Sequence, residues 1–206
     1  MKLKKIASLM LAGIMAVSML AACKDGASSS TPTNPIEPVD NSFATDVNAE
    51  LSDAYKGLLS FSSDSDLTAA VNKIAASTEF TSVVSGAPVW VTQDGDVAKT
   101  FRELLNVDTG NKFTVDAFKN VTDKKTVADL LIFNGGLTES GLAKAVADEM
   151  EKWDSRSYFP LKNDTETYRY SYTGNIAVTE VTVMNGTASY YVVGFTITMT
   201  PTKVAA

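Results

Sequence analysis

Apolar residues recur first at helical spacing and, after residue 160, at strand spacing. Phe43, Val47, Leu51, Ala54 and Leu58 follow one another at steps of three and four, which predicts an amphipathic helix over residues 42–60. Asp66 stands before Leu67, Val71 and Ile74, the pattern of a second, capped helix. Residues 81–84 and 88–92 have the β-branched and aromatic character of short strands around Ser85, Gly86 and Ala87. After the Asp94-Gly95 turn, Asp96 is placed to cap a helix carrying Val97, Phe101, Leu104 and Leu105, and residues 106–112 read as a loop. Thr114 opens a short helix, with Phe113 and Phe118 at the spacing of a hydrophobic staple. Thr126 and Asp129 have capping-box spacing, with Asp in place of the usual Glu. Leu130, Leu131, Ile132 and Phe133 follow, so a helix is expected here, stopped by Asn134-Gly135-Gly136. Thr138 opens the longest helix, through about Trp153, with Leu142, Val146, Met150 and Trp153 on one stripe.

Beyond Pro160 the period falls to two. Tyr168, Tyr170 and Tyr172 alternate with Arg169 and Ser171, a turn is expected at Thr173-Gly174-Asn175, and residues 176–184 are rich in Val and Thr. Asn185-Gly186 is a strong hairpin signal, because both central residues of a type I′ turn need positive φ. Residues 188–200 follow, with Tyr191, Val193, Phe195, Ile197 and Met199 on one face. The expected fold is α+β: a helical N-terminal half packed on a three-stranded C-terminal antiparallel β-meander, as a single domain over residues 42–206.

The first 23 residues have a different character. Lys2, Lys4 and Lys5 precede a mostly apolar run over residues 6–22, which ends Leu20-Ala21-Ala22 before Cys23, the one cysteine of the chain. A basic start, a short apolar stretch and small residues before a cut are the marks of a secretory signal. The Leu-Ala-Ala-Cys ending resembles the lipobox of bacterial lipoproteins. The resemblance implies a signal peptide over residues 1–22, cleavage before Cys23 by the type II signal peptidase, and diacylglycerol on the Cys23 thiol. The leader is similar to those of Gram-positive bacteria, which implies an anchor on the extracytoplasmic face of the cell membrane. Two acyl chains at one residue suffice for stable anchoring, where one gives only marginal binding. Residues 23–41 read as a lipidated Cys and a Ser/Pro-rich disordered tether with almost no apolar content. Its prolines favour extended backbone, enough to hold a domain roughly 40–50 Å from the membrane.

Composition removes several chemistries. Residues 1–22 carry three of the lysines and no acid, so the formal charge of −6 for the whole chain becomes −9 without them. That sign argues against nucleic-acid partners. The chain has no histidine and one cysteine, which leaves no intradomain disulfide, no Cys/His metal site and no imidazole-dependent catalysis. No cofactor motif is present: Gly-x-Gly-x-x-Gly and the Walker lysine loop are both missing, as is Gly-x-Ser-x-Gly.

Four groups of residues remain as candidate sites. Asp94-Gly95-Asp96 after Val89-Trp90-Val91 resembles the Asp-x-Asp start of haloacid-dehalogenase-like phosphatases, but Ala98 departs from that motif, and a turn followed by an N-cap accounts for the same residues. Asp64 with Asp66, or Asn106 with Asp108 and Asn111, offer the oxygen ligands calcium takes, without EF-hand spacing. Glu139, Asp148, Glu149, Glu151 and Asp154 could supply the two acids of a histidine-free glycosidase, or simply a solvated helix face. Tyr168, Tyr170 and Tyr172, with Tyr190 on the neighbouring strand, could form an aromatic row for a glycan or a protein partner, or pack across strands at a core margin. The expectation is therefore a membrane-anchored binding or interaction module at the cell envelope, with a membrane partner through lipid on Cys23. A carboxylate-dependent glycan hydrolase and an accessory subunit of an envelope or transport complex are the alternatives.

Overall fold

The computed structural model describes residues 42–77, 89–153, 155–183 and 188–205. The expected signal peptide, Cys23, the tether, the strand at 81–84, Asp154 and the Asn185-Gly186 turn lie outside them. All described residues fall in one compact unit.

The elements in chain order are α1 (Ser42–Glu50), α2 (Asp53–Lys56), β1 (Phe61–Ser62), α3 (Ser65–Ala75), β2 (Val89–Trp90), α4 (Asp96–Leu104), β3 (Lys125–Asn134), α5 (Glu139–Met150), α6 (Ser155–Tyr158), β4 (Tyr168–Val183) and β5 (Ala188–Lys203). The five strands form one mixed sheet in the order β1-β4-β5-β3-β2, with β1 parallel to β4 and the other pairs antiparallel. This corrects the expected arrangement. Helices and strands are interleaved along the chain, and no helical half sits on a terminal meander.

Two local features of the sheet account for the difference. The stretch expected as a helix over 126–133 is β3, paired with β5 from Lys125↔Met199 to Asn134↔Tyr190. Every residue from Val127 to Phe133 is buried, because helices cover both faces of the sheet at this strand. A strand buried on both sides reads as a continuous apolar run, which periodicity does not separate from a helix. The turn expected at Thr173-Gly174-Asn175 does not form either. β4 runs unbroken for 16 residues, and Gly174 lies in its middle opposite Phe61. A Cβ there would stand 2.6 Å from the Phe61 ring, so this glycine marks a close approach inside a strand.

The alternation of β3, β4 and β5 divides the core in two. Val127, Leu131, Phe133, Tyr170, Tyr172, Ile176, Val193, Phe195, Ile197 and Met199 face the larger cluster, under α1, α5 and the segment from Phe113 to Phe118. Ala128, Leu130, Ile132, Ala177, Tyr190 and Val192 face the smaller one, under α3 and α4. α3 begins at Asp64, whose carboxylate accepts from Leu67 N at 2.8 Å, so the cap is Asp64 and not Asp66. α4 is capped by Gly95, with Asp96 in its first turn. Thr138 caps α5 by accepting from Gly141 N at 3.1 Å. The helix expected over 42–60 breaks after Glu50, and Ser52 restarts it as α2. Residues 115–120 form turns instead of a helix, with Asp116 and Asn120 at positive φ.

Candidate functional site

A cleft of about 480 Å³ opens at the β2 edge of the sheet. Its walls come from four places in the sequence: Trp90 to Asp94, Phe113 to Val115, Glu149 with Trp153 at the end of α5, and Tyr158 of α6. That volume lies within the range of small-molecule sites, about 300–1,000 Å³.

The aromatic floor is built by contact. Trp153 is 6% exposed and touches Phe113 (ring centroids 4.2 Å), Trp90 (5.3 Å) and Tyr158 (6.1 Å, planes 27° apart). Phe113 in turn meets Tyr158 at 4.9 Å. Tyr55 of α2 donates its hydroxyl to the Trp153 carbonyl and fixes the chain just past α5. Trp90 and Tyr158 are only partly buried and line the opening. The polar groups are set beside these rings. Trp90 Nε1 donates to Glu149 Oε1 at 3.2 Å, and the other Glu149 oxygen accepts from Lys152. Asp94 holds Lys112 through both oxygens, at 2.8 and 2.9 Å. The Lys112 ammonium keeps the Asp94 carboxyl below the usual carboxylate range.

Behind the cleft wall lies a buried ion pair. Arg102 (0% exposed) places Nη1 2.9 Å from Asp129 Oδ1 (1% exposed). Arg102 also donates to the carbonyls of Ala128, at 3.2 Å, and of Gln93. The second Asp129 oxygen accepts from Phe113 N and Gln93 Nε2, both at 2.7 Å, and Gln93 Nε2 also reaches Phe113 O at 2.8 Å. One carboxylate thus ties together the two backbone segments that carry the cleft residues Gln93 and Phe113. Burial pushes the Asp129 carboxyl from 3.8 up to about 6, against the lowering by Phe113 N, Arg102 and Gln93.

The residues singled out from sequence are dispersed. Tyr170 and Tyr172 are both 7% exposed and point into the larger core, where their hydroxyls donate to Val121 O (2.8 Å) and Pro160 O (2.6 Å). Burial raises the Tyr172 hydroxyl's pKa. Tyr190 is 9% exposed in the smaller cluster on the opposite sheet face, and Tyr168 packs half-buried at the margin of the larger one. The four tyrosines therefore do not share a surface. Asp64 is spent as a cap, and Asp108 Oδ1 accepts from Gly110 N at 2.8 Å within its own loop. Among the described residues no three His, Cys, Asp or Glu side chains are grouped to hold a metal. On α5, Asp148 pairs with Lys144 at 2.8 Å, Glu151 accepts from Ser52 N at 2.6 Å and Glu139 is exposed. Glu149 alone of that set enters the cleft.

Sequence reasoning missed Trp90 and Trp153 as site residues, although both tryptophans of the chain line the cleft. It also missed the Arg102–Asp129 pair. Its signal was visible: a charged residue inside the run from Val127 to Phe133 needs a buried partner. No protein-family model matches the chain, no curated protein is significantly similar to it, and no solved structure matches it.

Proposed function

We propose that the chain is a lipid-anchored extracytoplasmic binding protein whose ligand occupies the aromatic cleft. The leader and its Leu20-Ala21-Ala22-Cys23 ending support the anchor. Among the described residues no helix is long and apolar enough to cross a membrane. The observation that carries the binding reading is the cleft itself, which gathers the partly exposed Trp90 and Tyr158 and the hydrogen-bonded Glu149 and Asp94 in one open concavity.

Binding is favoured over hydrolysis by the state of the cleft's acids. A glycosidase needs one carboxyl held protonated opposite a second carboxylate. Both oxygens of Glu149 are engaged, and Asp94 is held in its charged form by Lys112. Asp129, whose proton affinity is raised, faces Arg102, Gln93 and Phe113 inside the wall.

Two measurements test the proposal. Cys23→Ser should move the protein from the membrane fraction to the soluble fraction or stop its processing; full retention would refute the anchor. A thermal-shift screen of saccharides and short peptides should find a ligand that stabilises the wild type and fails to stabilise Trp90→Ala. A ligand that stabilises both equally would place binding elsewhere.

A further inference from the structure

We infer that the cleft takes an uncharged saccharide, one pyranose ring of which lies against Trp90 and Tyr158. This deepens the binding reading and rests on the cleft being the ligand site.

Three observations lead to that class. First, the charges at the cleft cancel locally. Glu149 is matched by Lys152 and Asp94 by Lys112, so neither an anionic nor a cationic ligand finds an uncompensated partner. Second, Trp90 and Tyr158 line the cleft and are partly exposed, and aromatic ring faces carry negative quadrupole density. The axial C–H face of a pyranose is apolar and weakly positive, so it seats on such a surface without a full charge. Third, the groups beside the rings are of the type that hydroxyls use. Each carboxylate oxygen of Glu149 and Asp94 accepts one bond from its protein partner and keeps a second lone pair for a sugar hydroxyl, and the paired ammonium groups of Lys112 and Lys152 keep N–H donors for hydroxyl oxygens. Each ion pair thus offers a donor and an acceptor a few ångströms apart, matching vicinal diols. A flat aromatic ligand would use the rings and leave those pairs idle; a peptide would bring its own charges to a balanced site.

The two tryptophans give the test a direct readout, since both line the cleft and the chain has no others. The full chain in detergent micelles is titrated with neutral hexasaccharides (β-1,4-glucan, α-1,4-glucan, β-1,4-xylan), with oligogalacturonate and with chitosan oligomers, following intrinsic fluorescence. At least one neutral series should give a saturable change, at least tenfold tighter than either charged series. Tyr158→Ala and Trp90→Phe should each weaken it about tenfold, with the thermal midpoint of each variant confirming folding. Lys112→Ala combined with Lys152→Ala changes two partly exposed lysines. It uncovers both carboxylates and should raise chitosan affinity about tenfold. Charged oligomers binding as tightly as neutral ones to the wild type, or no response to any saccharide, would overturn the inference. If no saccharide binds while a peptide stabilises the wild type and not Trp90→Ala, the saccharide class falls and the binding reading stands. If no ligand distinguishes those two proteins, both fall.

Discussion

Replacing Arg102 with methionine probes the buried network most sharply. Met matches the length of the Arg stem and keeps the apolar packing, so the change is confined to the guanidinium. That group is fully buried and makes three contacts: Asp129 Oδ1 at 2.9 Å, Ala128 O at 3.2 Å, and Gln93 O. Its loss leaves a buried carboxylate with two donors, Phe113 N and Gln93 Nε2, and strips a partner from two carbonyls. Removing one member of a buried ion pair costs about 3–5 kcal/mol. Orphaned carbonyls cost about 1–3 kcal/mol each, not additively with the first. The expected loss at pH 7.5 is thus about 3–5 kcal/mol, against about 5–15 kcal/mol for a typical domain's whole stability. It is read as a shift in urea midpoint at unchanged slope. The loss should shrink at pH 5, because Asp129 already protonates near 6 in the wild type and does so more readily without its cation. Adding Asp129→Asn should recover about half of the loss at pH 7.5. A deficit below about 1 kcal/mol, or one equal at both pH values, would refute the assignment of the network as a buried charged frame.

Further outcomes follow from single sites. Asp129 binds its proton more tightly in the folded chain than in the unfolded one, so its contribution to stability grows as pH falls from about 6 to 3.8. Asp129→Asn removes that contribution, so the gap between wild type and variant should widen in favour of the wild type by up to about 3 kcal/mol between pH 7 and pH 4. Asp94 and Glu166, held low by Lys112 and Lys162, contribute with the opposite sign: their share is lost as pH falls from their ordinary values through the lowered ones. Gly194→Ala puts a Cβ 2.4 Å from Val71 Cγ2 and 2.9 Å from Phe101 Cζ, and should cost about 1–3 kcal/mol by thermal unfolding, partly restored by Val71→Ala. Gly135→Ala meets the Ser189 carbonyl carbon at 2.4 Å, a backbone clash that no change of the Ser189 side chain should restore. Tyr172→Phe strips the Pro160 carbonyl of its donor and should cost about 1 kcal/mol in the same assay.

Much of the helical framework is legible locally. Leu67, Val71 and Ile74, or Leu142, Val146 and Met150, bury one stripe each, and local spacing encodes that directly. The sheet is less legible. β3 is buried on both faces, so it carries no alternation to read, and Gly174 looks like a turn until Phe61 arrives from 113 residues away. The cleft is least legible of all. Trp90 reads as a strand residue and Trp153 as a core residue; only the pairing of β2 with β3 and the packing of α5 bring them within 5.3 Å. Glu149 is one acid among several on its helix, but it stands three residues after Val146 and four before Trp153, on the apolar stripe, while Asp148 falls off that stripe and faces solvent; an acid on a buried stripe is the one local signal of the cleft.

Ligand capture by the aromatic cleft is tested most directly by ¹⁹F NMR of the full chain labelled with 5-fluorotryptophan. Two resonances are expected, assigned by Trp90→Phe, because the chain holds two tryptophans. A bound saccharide should move the Trp90 resonance strongly and that of the more deeply buried Trp153 less. A ligand that raises the thermal midpoint while both resonances stay still would show that the cleft is not where it binds.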